Sequence, residues 1–413
     1  MQPPKSISDD TDQESRFTWR PKGILPPKRR SRAPRQKRGR TAPVLRPLKG
    51  PPPPLQVVIP PSPTCQASAS LEAEIDILVN HPTFIASQEN LKAIENARQR
   101  IEAMIKEVVP EVAEVVLFGS GSSTVMSSNS DLDFCLIFRY KHDSISVNEY
   151  IKEARVPVLR CHAMLPIWTR EQTGVRNHKT KVSFDIVASN YLGVQNSRLI
   201  RTYTECDERV RLFLLLVKRW AKGWGIGDAS QRTLSSYGWN LICLSYLQAC
   251  TPPIVPNLQS EAYIAASNPD LIVDLDIEGG ECRFSRDAQP WKSRAPCLLP
   301  NPDDPLQTED PRPVNTTSLA QLFVNFMEFL SNFYTNEFAF SIKHGALCTT
   351  ASIKHLLFPK KILPPFVIVD PLEIGRNVAL PCTLEEKVLS AIKQTFAKIL
   401  DGSHLSSILA NLS

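Results

Sequence analysis

The chain has 413 residues, 42% hydrophobic and 22% charged, enough for two or three domains that each bury a core. No stretch approaches the roughly 20 uninterrupted apolar residues of a membrane span, so a soluble protein with no membrane partner is expected. The formal charge of +6 is uneven: residues 1–70 hold 14 Lys and Arg against 4 Asp and Glu, a balance of +10, and the rest of the chain is −4.

The ten cysteines are dispersed, with no C-x-x-C pair and no histidine at finger spacing. That pattern argues for a reduced, intracellular setting and against a structural zinc. Fifteen of the 35 prolines precede Ser70, together with the basic run Lys28–Arg40 and the block Pro51–Pro54. Residues 1–70 therefore cannot bury enough apolar surface to offset their ordering entropy, and a disordered or polyproline-like tail is expected. Such a tail can hold RNA electrostatically, act as a nuclear address or be a solvated linker. A mitochondrial presequence is opposed by Asp9, Asp10, Asp12, Glu14 and the prolines. The compartment stays open among cytoplasm, nucleus and mitochondrion.

Leu71, Ile75 and Leu78, then Leu91, Ile94, Ile101 and Ile105, recur at helical spacing around a His81-Pro82 break and predict two leading helices. Glu114–Gly119 reads as a strand running into a Gly/Ser turn, Leu132–Phe138 as a second strand and Val182–Val187 as a third. These elements predict an α/β domain, a mixed sheet with flanking helices, over residues 71–197 with its leading helices. Residues 198–413 read as a mostly α-helical domain, with helices over Asp207–Lys222, Tyr237–Gln248, Leu319–Tyr334 and Leu384–Leu400. Within it, 277–316 is a long connection or insertion and Phe366–Val369 a short strand.

The chemistry centres on Leu-Phe-Gly-Ser (117–120), ten further residues, then Asp131-Leu132-Asp133-Phe134. Alternation along a strand puts Asp131 and Asp133 on one face while Leu132 and Phe134 enter the core. Two carboxylates so placed can grip hard divalent cations, Mg²⁺ or Mn²⁺, together with substrate phosphates. Asp185, between apolar Phe184 and Ile186, is the candidate third carboxylate of a two-ion site that would activate a hydroxyl nucleophile and stabilise departing pyrophosphate. Asp185 could also take the nucleophile's proton. The small residues of the Gly-Ser turn let backbone amides and hydroxyls cradle terminal phosphates. Taken singly each signal has a plainer reading: Asp-x-Asp holds metal in glycosyltransferases too, and a lone strand aspartate is often structural.

The ordered set resembles the polymerase-beta-type nucleotidyltransferase superfamily, an hydrophobic-Gly-Ser element followed by Asp-hydrophobic-Asp. Asn-Ser-Arg-Leu-Ile-Arg-Thr-Tyr (196–203), Asp-Glu-Arg-Val-Arg (207–211), Val-Lys-Arg-Trp-Ala-Lys (217–222), Thr-Leu-Ser-Ser-Tyr-Gly-Trp (233–239), 318–326 and Asp-Pro-Leu-Glu-Ile-Gly-Arg-Asn-Val (370–378) are similar to its noncanonical poly(A) polymerases and terminal uridylyltransferases. The resemblance covers most of the chain after residue 70. It implies Asp131, Asp133 and Asp185 as catalytic metal ligands, and a nucleotide site of Gly119, Ser120, Ser130, Asn196, Ser197, Lys218, Lys222, Ser236, Tyr237, Asp370, Glu373 and Arg376. Ser120, Ser236, Lys218 and Lys222 would contact the triphosphate, Asn196 the ribose, and Tyr237 would stack on the base. Lys218 and Lys222, four apart on a helix, share a face, although a solvated basic face would look the same. Tyr237 and Trp239 could instead be core aromatics, and Trp239 is assigned to the core.

Base choice is sought in the 370–376 loop. Asp370 and Glu373 can accept from uracil N3, directly or through water, where adenine offers an acceptor. Uridylate-specific members with a discriminating histidine align it with Arg376 here; an arginine can donate to uracil O4 and fill space that a purine needs. The implied activity is template-independent addition of UMP from UTP to an RNA 3′ end, with a poly(A) polymerase using ATP as the alternative. An inactive RNA-binding scaffold is the alternative of another class. No RNA-recognition module is evident, so transcript choice would fall to the basic tail or to protein partners.

Overall fold

The structure, a computed structural model, describes residues 57–58, 63–82, 84–126, 132–138, 158–171, 174–277, 280–294, 314–332, 337–353, 356–357 and 366–410. The expected tail and residues 295–313 of the expected insertion fall almost wholly outside them. The first elements are a two-residue strand, Val57–Val58 (β1), and the helices Ala69–Val79 (α1) and Gln88–Val108 (α2). There follow Val112–Phe118 (β2), the single turn Gly119–Ser122 (α3), Leu132–Phe138 (β3), Val158–Glu171 (β4) and Gly174–Ala188 (β5). The sheet runs β2-β3-β5-β4, antiparallel except for the parallel β3–β5 pair.

Burial follows the alternation read from sequence. Leu132 and Phe134 are buried while Asp133 between them is half-buried. Along α2, Leu91, Ile94, Ile101 and Ile105 pack against Val112, Val115, Leu132, Phe134 and Phe184. The expected third strand is the end of the much longer β5, hairpinned with β4, which the sequence pattern had not suggested. Polar residues such as Lys179, Thr180 and Lys181 break the apolar run there, so pairing with β4 extends the strand where apolar periodicity does not.

The larger body comprises Tyr191–Cys206 (α4), Glu208–Gly223 (α5), Ser236–Ala249 (α6), Glu261–Ala266 (α7), the strands Ile272–Ile277 (β6) and Gly280–Ser285 (β7), and Gln289–Lys292 (α8). It continues through Leu319–Ser331 (α9), Phe338–Ser341 (β8), Ala346–Thr349 (β9), Thr350–Ile353 (α10), Glu385–Leu400 (α11) and Leu405–Ile408 (α12). Helix starts are set by capping side chains: Asn190, Asp207, Ser235 and Ser318 each accept from a backbone N–H two or three residues on. The body is not purely helical, since β6–β7 form a hairpin and β1-β9-β8 a small sheet. Residues 280–292, within the stretch read as a connection, supply β7 and α8 and bury Cys282, Phe284 and Ser285.

Trp220 and Trp239 meet edge to face at 5.1 Å in the centre of this body. Both are buried, with indole N–H groups donating to Thr395 Oγ1 (2.8 Å) and Ile226 O (2.9 Å). Trp239 is thus a core aromatic, as its sequence position suggested. The two leading helices part company: α2 covers the first sheet, whereas α1 sends Leu71 and Ile75 into the larger core. There the Glu74 carboxylate accepts from Leu405 N at 2.8 Å and Glu72 accepts from Ser318 Oγ at 2.8 Å. Among the described residues no helix is long and apolar enough to cross a membrane.

Candidate active site

Asp133 lies in direct register with Asp185 across the parallel β3–β5 pair. Neighbouring strands stand about 4.8 Å apart, so registered residues put their side chains on the same face of the sheet as neighbours. Both aspartates are half-buried, and the Phe134 and Phe184 rings on the opposite face pack edge-on at 5.8 Å. Ser130 and Asp131 lie outside the described residues.

On the other side of Asp133, β2 places Phe118 in register and Gly119 immediately after it. Gly119 has φ +65°, and a Cβ there would stand 2.3 Å from Asp133 Oδ2. Only glycine tolerates both conditions, so the turn can press against the carboxylate. The Gly119 N–H donates to Ser197 Oγ at 2.8 Å, and that hydroxyl donates to Gly193 O at 2.8 Å. Ser197, expected among the nucleotide contacts, is buried and joins the Gly-Ser turn to α4. Ser120 stays half-buried in that turn.

One residue before Ser197, Asn196 accepts from the Tyr237 hydroxyl at 2.7 Å. Burial and the nearby Asp370 carboxylate push the Tyr237 pKa well above the usual phenol range. Ser236 is half-buried in the first turn of α6. On α5, Lys218 Nζ donates to Val125 O at 3.2 Å, and Lys222 is exposed one turn further on.

The 370–376 loop closes on itself. Asp370 N donates to Arg376 O at 3.0 Å, and Gly375 has φ +82°. The Asp370 side chain is fully buried: Oδ1 accepts from Leu372 N and Glu373 N at 3.0 Å each, and Oδ2 from Arg376 Nη1 at 2.8 Å. Burial raises the Asp370 pKa, and Arg376 pulls against that rise. Asp370, expected to accept from a base, holds the loop and the guanidinium with its two oxygens. Glu373 and Arg376, with side chains 32% and 30% exposed and 3.4 Å apart, are the members of the trio open to solvent.

One path of contacts therefore runs from the Asp133/Asp185 pair through Gly119 and Ser197 to Asn196, Tyr237 and the Arg376 loop. A cavity of about 620 Å³ is lined by Gln259, Cys282 and Lys343 among others, and by none of the expected site residues. Sequence reading missed three further residues of the site's frame, Thr124, Thr204 and Arg211. Arg211 lies within a quoted motif, seven residues before Lys218, a spacing that puts both on one helix face.

The sheet, its paired acids and the Gly-Ser turn make this a nucleotidyltransferase fold. Residues 74–148 match the family described as poly(A) RNA polymerase, mitochondrial-like, central palm domain. Human terminal uridylyltransferase 7 is 30% identical over 333 residues, covering 76% of this chain and 20% of that protein. Poly(A) RNA polymerase GLD2-B of Xenopus laevis is 34% identical over 184 residues, 42% of this chain and 35% of that one. The chain thus spans about a fifth of the length of terminal uridylyltransferase 7. A solved cytoplasmic RNA terminal U-transferase superposes with TM-score 0.60 at 22% identity, covering 83% of this chain and 99% of the other. The Cid1 poly(U) polymerase solved with a UTP analogue gives TM-score 0.58 at 23% identity, covering 80% and 94%. The chain belongs to the noncanonical poly(A) polymerase and terminal uridylyltransferase family.

Nucleotidyltransferases of the polymerase-beta type generally use divalent metals. The residues here suit such ions: two oxygen-donor carboxylates stand in register, and the missing Gly119 side chain leaves room at Asp133 Oδ2.

Proposed function

We propose that the chain is a template-independent RNA 3′-terminal nucleotidyltransferase that adds UMP from UTP. The observation that carries the reading is the registered Asp133/Asp185 pair against the Gly119 turn, tied through Ser197 to the neighbouring Asn196 and its hydrogen-bond partner Tyr237. In the reaction the RNA 3′ oxygen bonds to the α-phosphorus, the bond to the bridging oxygen breaks, and pyrophosphate leaves. Asp133 and Asp185, with Asp131, would hold two Mg²⁺ or Mn²⁺ ions, which supply charge neutralisation at the phosphates and a more acidic nucleophile. Asp185 would take the proton from the 3′ hydroxyl.

The Gly-Ser turn and the Lys218/Lys222 face serve the triphosphate, Asn196 the ribose, and Tyr237 the base by stacking, which gives affinity without base identity. Identity then falls to Glu373 and Arg376, the open members of the loop. A guanidinium donates and never accepts, so Arg376 suits uracil O4 and meets only a donor in the adenine amino group. Glu373 can accept from uracil N3 but also from that amino group, and a relative named as a poly(A) RNA polymerase keeps ATP as the second reading. RNA would lie with its 3′ end at the paired acids, and protein partners would choose the transcript. Extension of a labelled RNA with each ribonucleotide triphosphate in turn tests this: tails from UTP support the reading, tails from ATP alone support the second, and none from any sinks both.

A further inference from the structure

Thr124 follows the Gly-Ser turn and holds φ at +62°, a left-handed conformation that residues with a Cβ rarely keep without support. The support comes from α4 and α5. The Thr124 and Thr204 hydroxyls lie 2.8 Å apart, and Thr204 donates its own proton to Arg201 O at 2.7 Å, so Thr124 is the donor between them. Arg211 Nε donates to Thr124 O at 2.9 Å, and Lys218 Nζ to Val125 O at 3.2 Å.

The spacing of these supports is regular. Residues seven apart on a helix return to the same face after two turns. On α5, Arg211 and Lys218 therefore present two cations to two consecutive carbonyls. On α4, Ser197 and Thr204 hold the two ends of one segment, Ser197 at the Gly119 N–H and Thr204 at the Thr124 hydroxyl. The 119–124 segment is thus pinned at both ends by the helical body. Arg211 is half-buried, and its desolvation lowers its pKa, which marks a guanidinium drawn from water to reach a backbone oxygen.

We propose that Arg211, assisted by Thr204, is a positioning residue for nucleotidyl transfer: it fixes the Thr124 bend, and through it the Gly-Ser turn beside Asp133, in the geometry that a triphosphate requires. The proposal rests on the nucleotidyltransferase reading above. Arg211 acts through the 119–124 backbone rather than on the reacting atoms, so its loss should register in triphosphate affinity and turnover before it registers in folding.

The test uses the full chain with Arg211→Met, Arg211→Lys and Thr204→Val. The readouts are equilibrium binding of an α,β-imido analogue of UTP, the KM values for UTP and for RNA, kcat and Tm. Losing a charge-assisted hydrogen bond typically costs about tenfold or more. Arg211→Met should accordingly weaken analogue binding and raise the UTP KM by about that factor, with the RNA KM and Tm held. Arg211→Lys should recover to within about threefold of wild type, because one ammonium N–H can still reach the carbonyl. Thr204→Val should lose less. Wild-type analogue binding in Arg211→Met, or a joint rise of both KM values with a fall in Tm and no rescue by lysine, would overturn the proposal. A wild-type chain that binds the analogue yet extends no RNA would remove the polymerase reading, while the Met-against-Lys binding comparison would still decide the positioning claim.

Discussion

The first sheet and the helical body solve opposite problems. The body buries large side chains, Trp220, Trp239, Tyr203, Phe213 and Phe326 among them, in one continuous core with their polar atoms satisfied inside it. The sheet buries a smaller set around Phe134 and leaves Asp133 and Asp185 half-exposed in register, two like charges side by side. The larger buried core lies in the body, and the acids proposed to carry the chemistry lie on the sheet. The contacts of Ser197 and Arg211 join one to the other.

That division is broken most sharply by substitution at the acids. Asp185→Asn should lower kcat by at least about a thousandfold, the scale of removing a charged group at a phosphoryl-transfer centre, with Tm unchanged or raised. A folded Asp185→Asn variant with near-native extension would contradict the assignment. The converse comes from the body, where Trp220→Ala should cost about 3–5 kcal/mol in denaturant unfolding. Turnover per folded molecule should then be retained; a large kcat loss would show that the two regions are not separable.

Glycines sharpen the comparison. Gly119→Ala meets both a positive φ and Asp133 Oδ2 at 2.3 Å, so activity should fall by about a hundredfold and Tm should fall with it, since a Cβ there is strained. Gly238→Ala, inside α6 with its nearest neighbour 3.5 Å away, should stabilise by about 0.5 kcal/mol in thermal unfolding. At the base loop the effect is smaller. Asp370→Asn frees Arg376 and should raise the UTP KM about tenfold. Acid should mimic that change, because burial sets the Asp370 pKa above the ordinary value and the carboxylate is neutralised at a higher pH than an exposed one. The UTP KM should therefore climb toward acid pH in wild type and less so in Asp370→Asn. A small effect on stability alone belongs to Glu328→Gln, whose carboxylate accepts from the Thr64 and Cys65 amides; Tm should drop by the equivalent of about 1 kcal/mol, with kinetics unmoved.

What sequence alone conveyed follows from local physics. Strand alternation around Asp133, helical spacing along α5 and α6, and the glycine before Ser120 are each dictated within a few residues, and the structure reproduces those elements. Contacts that depend on tertiary placement were not legible. Asp370 reads as an open acceptor in sequence, yet a loop that folds back with Gly375 at positive φ spends both its oxygens internally. The bond from the Gly119 N–H to Ser197, seventy-eight residues apart in sequence, was not legible either. The β4–β5 hairpin escaped because the ladder itself, rather than apolar periodicity, extends it through polar residues.

Manganese titration followed by electron paramagnetic resonance, with the α,β-imido UTP analogue present, tests most directly whether the registered acids hold divalent ions at the nucleotide. Wild type should bind Mn²⁺ in a nucleotide-dependent manner, and Asp133→Asn and Asp185→Asn should each lose that binding while remaining folded. Equal Mn²⁺ binding in all three proteins would contradict the account.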